Sequence, residues 1–159
     1  MNQVVRIARA GEWDSATAVD RIVLDADDRR RRRIVLSTEK NKTFLLDLAK
    51  PITLRDGDGL VLDDGAIVQV IGQPEPLLEI RASAPHELVR LAWHLGNRHT
   101  DVQIVGEALR IRYDHVLEDM LRGLGARVTP LEAPFDPEAG AHAHGHSHAP
   151  EHQHGPGHE

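Results

Sequence analysis

The chain has 159 residues, 40% of them apolar, and a formal net charge of −6 with histidine neutral. That suffices for one ordinary domain or two small ones, globular rather than unfolded in composition, and the negative balance argues against nucleic acid as the main partner. The absence of cysteine excludes disulfides, thiolate zinc sites, iron–sulfur clusters and cysteine nucleophiles.

Histidine nitrogen and carboxylate oxygen remain as strong metal ligands, a set suited to nickel, copper or zinc. Trp13, Trp93, Phe44, Phe135 and Tyr113 are the only aromatic residues, so any core must be aliphatic. The opening "MNQVVRIARAGEW" has no apolar signal region, and no stretch is long enough to span a bilayer. The default expectation is a cytoplasmic protein with no membrane association.

Residues 2 to about 73 read as all-β. "VVRIARA", "DRIVLDAD", "RRIVLST", "TFLLDLA", "GLVLDDG" and "AIVQVIG" are short, alternating and rich in β-branched residues. Turn residues in "ADDR", "EKNK", "RDGDG" and "DDGA" separate them, and no helical period is visible. A small antiparallel sandwich or pair of sheets is expected. Arg29–Arg33 form a charge run, ordinarily a solvated strand flank, with a partner-docking patch as the alternative.

"GQPEPLL" breaks the pattern, because Pro74 and Pro76 suit a linker or a strand start better than a central strand. A domain boundary is placed near Gln73. Beyond it "LLEIRAS" reads as a strand. "SAPHELVRLAWHLG" reads as a helix with Ser83 as N-cap, Pro85 in its first turn and Gly96 as C-cap. Leu88, Leu91, Ala92 and Leu95 make its apolar stripe. "DVQIV" and "ALRIRY" are strands. "DHVLEDMLRGLG" is a second helix, capped by Asp114, lined by Leu117, Met120, Leu121 and Leu124, and ended by Gly125. "ARVTPL" is the last strand.

The fold class is therefore α+β. An all-β unit over residues 1–73 precedes a βαββαβ unit of ferredoxin-like order over 74–134. Residues 135–159 carry almost no aliphatic side chains and are expected to be a disordered, histidine-rich tail.

Seven of the eleven histidines lie in the last twenty residues: His142, His144, His146, His148, His152, His154 and His158. They alternate with Ala, Gly and Ser, unlike the unbroken run of a purification tag. Spaced imidazoles on a glycine-containing chain can wrap an ion with little strain, so metal binding is the favoured reading over an inert tail. His99, in "HLGNRHTD", falls in a turn after the first helix and is either solvated or a surface ligand. One imidazole is a poor site, but a two-fold axis presents it twice. His115, at the start of the second helix, is either a polar first-turn residue or a ligand. His86 and His94 look like ordinary helix-surface residues. No P-loop, nucleophile elbow or His-Glu-x-x-His motif occurs, so no catalytic constellation is apparent.

"GNRH", "DHVLEDMLRGLG", "PFDPEAGAH" and the histidine tail, with "DRRRRR", "LRDGDGLVLDDG" and "PEPLLEI" upstream, resemble the UreE family, the nickel metallochaperones among the urease accessory proteins. The resemblance covers essentially the whole chain. It implies a β-rich partner- or peptide-binding domain followed by a ferredoxin-like metal-binding domain. It also implies a homodimer with His99 of each subunit at the interface, tail histidines completing a Ni2+ site, and delivery to apo-urease through a partner GTPase. Cu2+ or Zn2+ should bind such a site too. Some members carry a His-x-His pair entering the second helix; here Tyr113 stands at the first position and only His115 remains, and a phenol is a poor ligand at neutral pH.

Overall fold

The computed structural model describes residues 1–139. The tail from Gly140, with all seven of its histidines, lies outside the described residues. The described residues form ten strands, three α-helices and one short 3-10 helix, Ser15–Thr17.

The first unit contains β1 (Asn2–Ala8), β2 (Asp20–Leu24), β3 (Arg33–Ser37), β4 (Thr43–Asp47), β5 (Gly59–Leu62) and β6 (Ile67–Gly72), in sheet order β2-β6-β5-β1-β4-β3. The pairing is mixed, with β1 parallel to β4 and β2 parallel to β6. It is therefore not the purely antiparallel arrangement expected from hairpin-like turns. Alternation explains the core: Ile22 and Leu24, Phe44 and Leu46, and Val68 and Val70 point the same way from their strands and bury together.

"ADDR" is not a plain turn. It is a one-turn helix, α1 (Ala26–Arg29), whose N-cap Asp25 accepts from the Asp28 amide. Four residues are too short to show a helical period in sequence. The end of this helix also corrects the reading of the arginine run. Arg29 is not on a solvated face but fully buried, whereas Arg31 stays exposed.

The second unit contains β7 (Pro74–Arg81), α2 (Pro85–Asn97), β8 (Gln103–Val105), β9 (Ala108–Arg112), α3 (His115–Gly123) and β10 (Arg127–Pro134). Its sheet has the order β10-β7-β9-β8, every neighbour antiparallel. Both helices lie on one face. Leu91 and Leu95 of α2 and Leu121 of α3 bury against Leu78, Ile80, Leu109, Ile111 and Val128. At roughly 1.5–3 kcal/mol for each large aliphatic side chain, this layer dominates the stability of the unit.

The other sheet face carries charge. Glu79 lies opposite Arg110 in the β7–β9 register and accepts from it at 3.0 Å, with Arg81 as a second donor at 3.0 Å. The Arg110 hydrogen bond is the largest influence on the Glu79 carboxyl. With Arg81 it outweighs the opposing effect of burial and holds the group below its ordinary value. A lowered carboxylate contributes stability above its unfolded pKa and loses it as the pH falls through the folded one. Thermal melts of the parent should therefore drop as pH falls below about 4.3. A Glu79→Gln chain should show a shallower acid limb, and an unchanged acid limb would mean that this pair is energetically idle.

Two helix ends differ from expectation. Ser83 is not the N-cap of α2; Ala84 is, without a side-chain hydrogen bond. Pro85 forces the residue before it to be extended, and Ala84 sits at φ −146°, ψ 151°, which moves the cap to that position. Gly96 is not the C-cap either, because the helix runs on through Asn97 to Arg98.

Packing also continues past Pro134, which corrects the expectation that the chain is unstructured from residue 135. Phe135 is fully buried against Leu77 and Ala26. The side chain of Arg112 lies over its ring, with the guanidinium carbon 5.1 Å from the centroid. Asp136 pairs with Arg29, and the Glu138 amide donates to the Val102 carbonyl at 2.7 Å. A lone aromatic residue in an otherwise polar segment was the signal for this burial. Where the two units meet, Gly72 lies so close to Pro134 that a Cβ would approach the proline Cβ to 2.7 Å.

Candidate metal-binding site

The end of α2 is the most informative local structure. His99 has φ +55°, in the left-handed region that favours glycine. Its amide donates to the Gly96 carbonyl at 3.0 Å, and the Thr100 amide reaches back to the Leu95 carbonyl at 3.1 Å. This is a Schellman cap with histidine in the left-handed slot. Helix α3 ends with the same two bonds, Gly125 to Arg122 at 3.0 Å and Ala126 to Leu121 at 3.0 Å. There the slot holds Gly125 at φ +91°. One chain thus uses glycine at one cap and an exposed histidine at the equivalent position of the other.

His99 lines an open cleft of about 380 Å³ together with Ala92, Asp101, Ile104 and Glu138. The cleft is therefore bordered by one imidazole, two carboxylate residues and an apolar floor. Asp101 already serves two cations, Arg112 at 3.3 Å and Arg30 at 3.4 Å. Among the described residues, no group of three or more histidine and acidic side chains could hold a metal ion. The described residues of one chain therefore do not by themselves make up a complete coordination shell.

His115 is the first residue of α3 and is exposed. It follows the cap Asp114, whose carboxylate accepts from the Val116 and Leu117 amides at 2.9 and 3.0 Å. Tyr113 is half exposed at the end of β9. The structure does not bring His115 and His99 to one cleft. His94 makes an edge-on contact with Trp93, and His86 lies 3.4 Å from Glu87. Asp101 and Glu138 were not singled out from sequence; their placement depends on the Glu138–Val102 bond between distant segments.

No helix among the described residues is long and apolar enough to cross a membrane. The described residues define a two-unit α+β protein: a β unit joined to a four-stranded antiparallel sheet backed by two helices, with a surface histidine beside the segment that leads into a histidine-rich sequence.

The pattern of the UreE urease accessory protein N-terminal domain matches residues 2–72, and that of the UreE urease accessory protein C-terminal domain matches residues 75–159. The chain belongs to the UreE family of urease accessory proteins. It is 55% identical over 151 residues to the urease accessory protein UreE of Bradyrhizobium sp. (strain BTAi1 / ATCC BAA-1182), covering 92% of this chain and 73% of the relative. Identity to the urease accessory protein UreE of Rhodopseudomonas palustris (strain HaA2) is 58% over 129 residues, 81% of this chain and 60% of that one. The counterpart from Ruegeria pomeroyi is 45% identical over 139 residues, covering 87% and 90%.

Proposed function

We propose that this protein is a cytoplasmic nickel carrier for urease maturation rather than an enzyme. A homodimer holds one Ni2+ ion between two His99 side chains, and tail histidines close the shell. The observation that carries the reading is His99 itself: an exposed imidazole retained in a left-handed slot that glycine fills at the other helix end. A non-glycine residue there costs on the order of 1–3 kcal/mol, and such strain concentrates at functional sites.

Neutral nitrogen ligands exchange readily, which suits hand-over better than a thiolate cage would. Intrinsic affinity does not exclude Cu2+ or Zn2+, so selectivity comes from metal availability and from the receiving complex. Delivery to apo-urease runs through an accessory GTPase, in keeping with a chain that has no P-loop of its own. His115 is at most a weak peripheral ligand, because Tyr113 offers no second imidazole. The strand order β10-β7-β9-β8 supports a ferredoxin-like reading of the metal-binding unit, with domain limits at 1–73 and 74–134 and a tail from 135 whose first residues pack back onto both units. The β unit is the partner- or peptide-binding domain, with neither nucleic acid nor membrane as a ligand. A passive nickel store is the alternative, favoured by the sheer number of tail imidazoles.

Activation of apo-urease separates the two. A chain with all seven tail histidines changed to alanine is expected to keep most of its activating capacity at saturating nickel, but to need a higher nickel concentration to reach it. A His99→Ala chain is expected to lose that capacity. The opposite ranking would make the protein a store and His99 a turn residue.

A further inference from the structure

The sheet of the second unit has its helices on one face, and its other face is covered at one end only. There Ala26 and Phe135 pack on Leu77, with Leu131 and Ala133 beside them. Toward the other end of the same strands the side chains open to solvent: Arg81 is 51% exposed, and Arg127 and Thr129 are exposed as well. Register puts Arg127 directly opposite Arg81, and Thr129 opposite Glu79, which on its other side faces Arg110. Side chains paired in this way leave the sheet from the same face, with Cβ atoms about 5 Å apart. Three guanidiniums therefore share this end of the face with one carboxylate. One Glu79 oxygen accepts from Nε and Nη2 of Arg110 at 3.1 and 3.0 Å, and the other accepts from Nε of Arg81 at 3.0 Å. Arg81 thus commits only its Nε, and Arg127 forms no ion pair or side-chain hydrogen bond among the described residues.

A solvated antiparallel face needs only polar residues, and like charges directly opposite on neighbouring strands destabilise it. On this face β10 carries Arg127, Thr129, Leu131 and Ala133, so the strand supplies no carboxylate to answer the Arg127–Arg81 pair. The excess is positive in a chain whose net charge is −6. A breach of a local rule that the fold does not compensate points to a surface shaped by binding. We propose that this end of the sheet is a docking face for an acidic segment of a partner protein, its carboxylates received by Arg81 and Arg127, with Glu79 as the positioning residue that orients Arg81 and Arg110. The planar fork of arginine takes a carboxylate on two prongs. Glu79, set inside the cluster, opposes the continuous charge of a nucleic acid more than it opposes separate side-chain carboxylates. The edge of β10 is not the recognition element: Pro130 has no N–H to donate, and the Val128 carbonyl already accepts from Arg122 at 2.9 Å. Recognition runs through side chains on the face, not through strand addition. It is independent of the metal site and gives the second unit a partner contact of its own.

The test is fluorescence anisotropy of a labelled peptide of alternating glutamate and glycine, titrated with the metal-free full-length chain at low salt. A pH of about 8 keeps the imidazoles neutral, so that histidine does not attract the probe. Arg81→Gln with Arg127→Gln is compared with Arg31→Gln plus Arg33→Gln, which removes the same charge from exposed arginines of the first unit. The first pair is expected to weaken peptide binding about five- to ten-fold, and the second by less than about two-fold. Arg127→Glu can pair across the strands with Arg81, so it is expected to abolish peptide binding while melting at or above the temperature of the parent. A single-stranded DNA oligonucleotide of equal charge is expected to bind more weakly than the peptide.

Equal losses from the two double variants would overturn the proposal, since the peptide would then follow net charge alone. A parent chain that does not bind the peptide would overturn it too. Tighter binding of the oligonucleotide would replace the acidic protein segment with a nucleic acid. A melting temperature of Arg127→Glu clearly below that of the parent would give Arg127 a structural role, and the argument from uncompensated charge would fall with it.

Discussion

A His99→Gly chain is expected to lose the tight nickel site entirely and to melt at or slightly above the temperature of the parent. Removal of a first ligand ordinarily costs both binding and stability where the ligand is also packed. Here the backbone argues the other way. His99 occupies the left-handed position of a Schellman cap at φ +55°, and Gly125 occupies the same position of the other helix at φ +91°. Glycine at residue 99 would relieve on the order of 1 kcal/mol of backbone strain, partly offset by the greater freedom it gives the unfolded chain. A gain of about 1 kcal/mol would raise the melting temperature by about 2–4 °C in a protein of this size. His99→Ala makes the informative contrast: it keeps the left-handed strain, removes the imidazole, and should melt below His99→Gly while losing nickel equally. Paired melts and nickel titrations of the three chains check this. Parent-like nickel binding by His99→Gly would end the case for the site. A clearly lower melting temperature for the glycine chain would mean that imidazole contacts, not backbone geometry, secure the cap.

That contrast also shows why some of the architecture could be read in advance and some could not. The stripes Leu88–Leu91–Ala92–Leu95 and Leu117–Met120–Leu121–Leu124 repeat with the helical period over two or more turns, and each of those residues packs into the second core. The strands of the β unit were legible from alternation, but their mixed pairing was not, because pairing depends on which distant strand arrives alongside. Cap positions failed for a local reason: Ser83 and Gly96 are the preferred residue types, yet the steric demand of Pro85 and the run of helical bonds through Asn97 decided otherwise. Helix α1 has no period to read. The tail root is polar in composition, yet Phe135 buries within it and Asp136 and Glu138 bond to distant segments, which composition does not reveal. The candidate site divided the same way. His99 was visible as a turn histidine within a motif, but its left-handed backbone and the cleft shared with Glu138 are tertiary facts.

Arg29 is where tertiary structure most overrules local appearance, and its replacement carries the largest expected effect on stability. Five consecutive arginines look interchangeable, but Arg29 is completely buried while the side chain of Arg31 is 58% exposed and only 3.8 Å from Asp28. Truncation to alanine would strand the Leu54 and Phe135 carbonyls, leave the Leu24 carbonyl only its bond from the Gln73 amide, and open a cavity between the units. An unpaired buried acceptor costs about 1–3 kcal/mol, and breaking a buried ion pair from one side typically costs about 3–5 kcal/mol in all. Asp136 adds less to that sum, because at 22% exposure it can take up water. Arg29→Lys should be milder, since an ammonium offers three donors without the planar fork that serves four acceptors here. Arg31→Ala should stay within about 0.5 kcal/mol of the parent. Urea unfolding of the four chains tests the order. Because Arg29 joins the β unit to the tail root and β10 side of the second unit, Arg29→Ala is also expected to split a single transition into two as the units lose their shared pin. If Arg29→Ala cost no more than Arg31→Ala and unfolded in one step, the buried guanidinium would be a passenger in the interface, and the units would be held by the packing of Ala26 on Leu77 and Phe135 and by the Asp27–Arg112 and Arg30–Asp101 pairs instead.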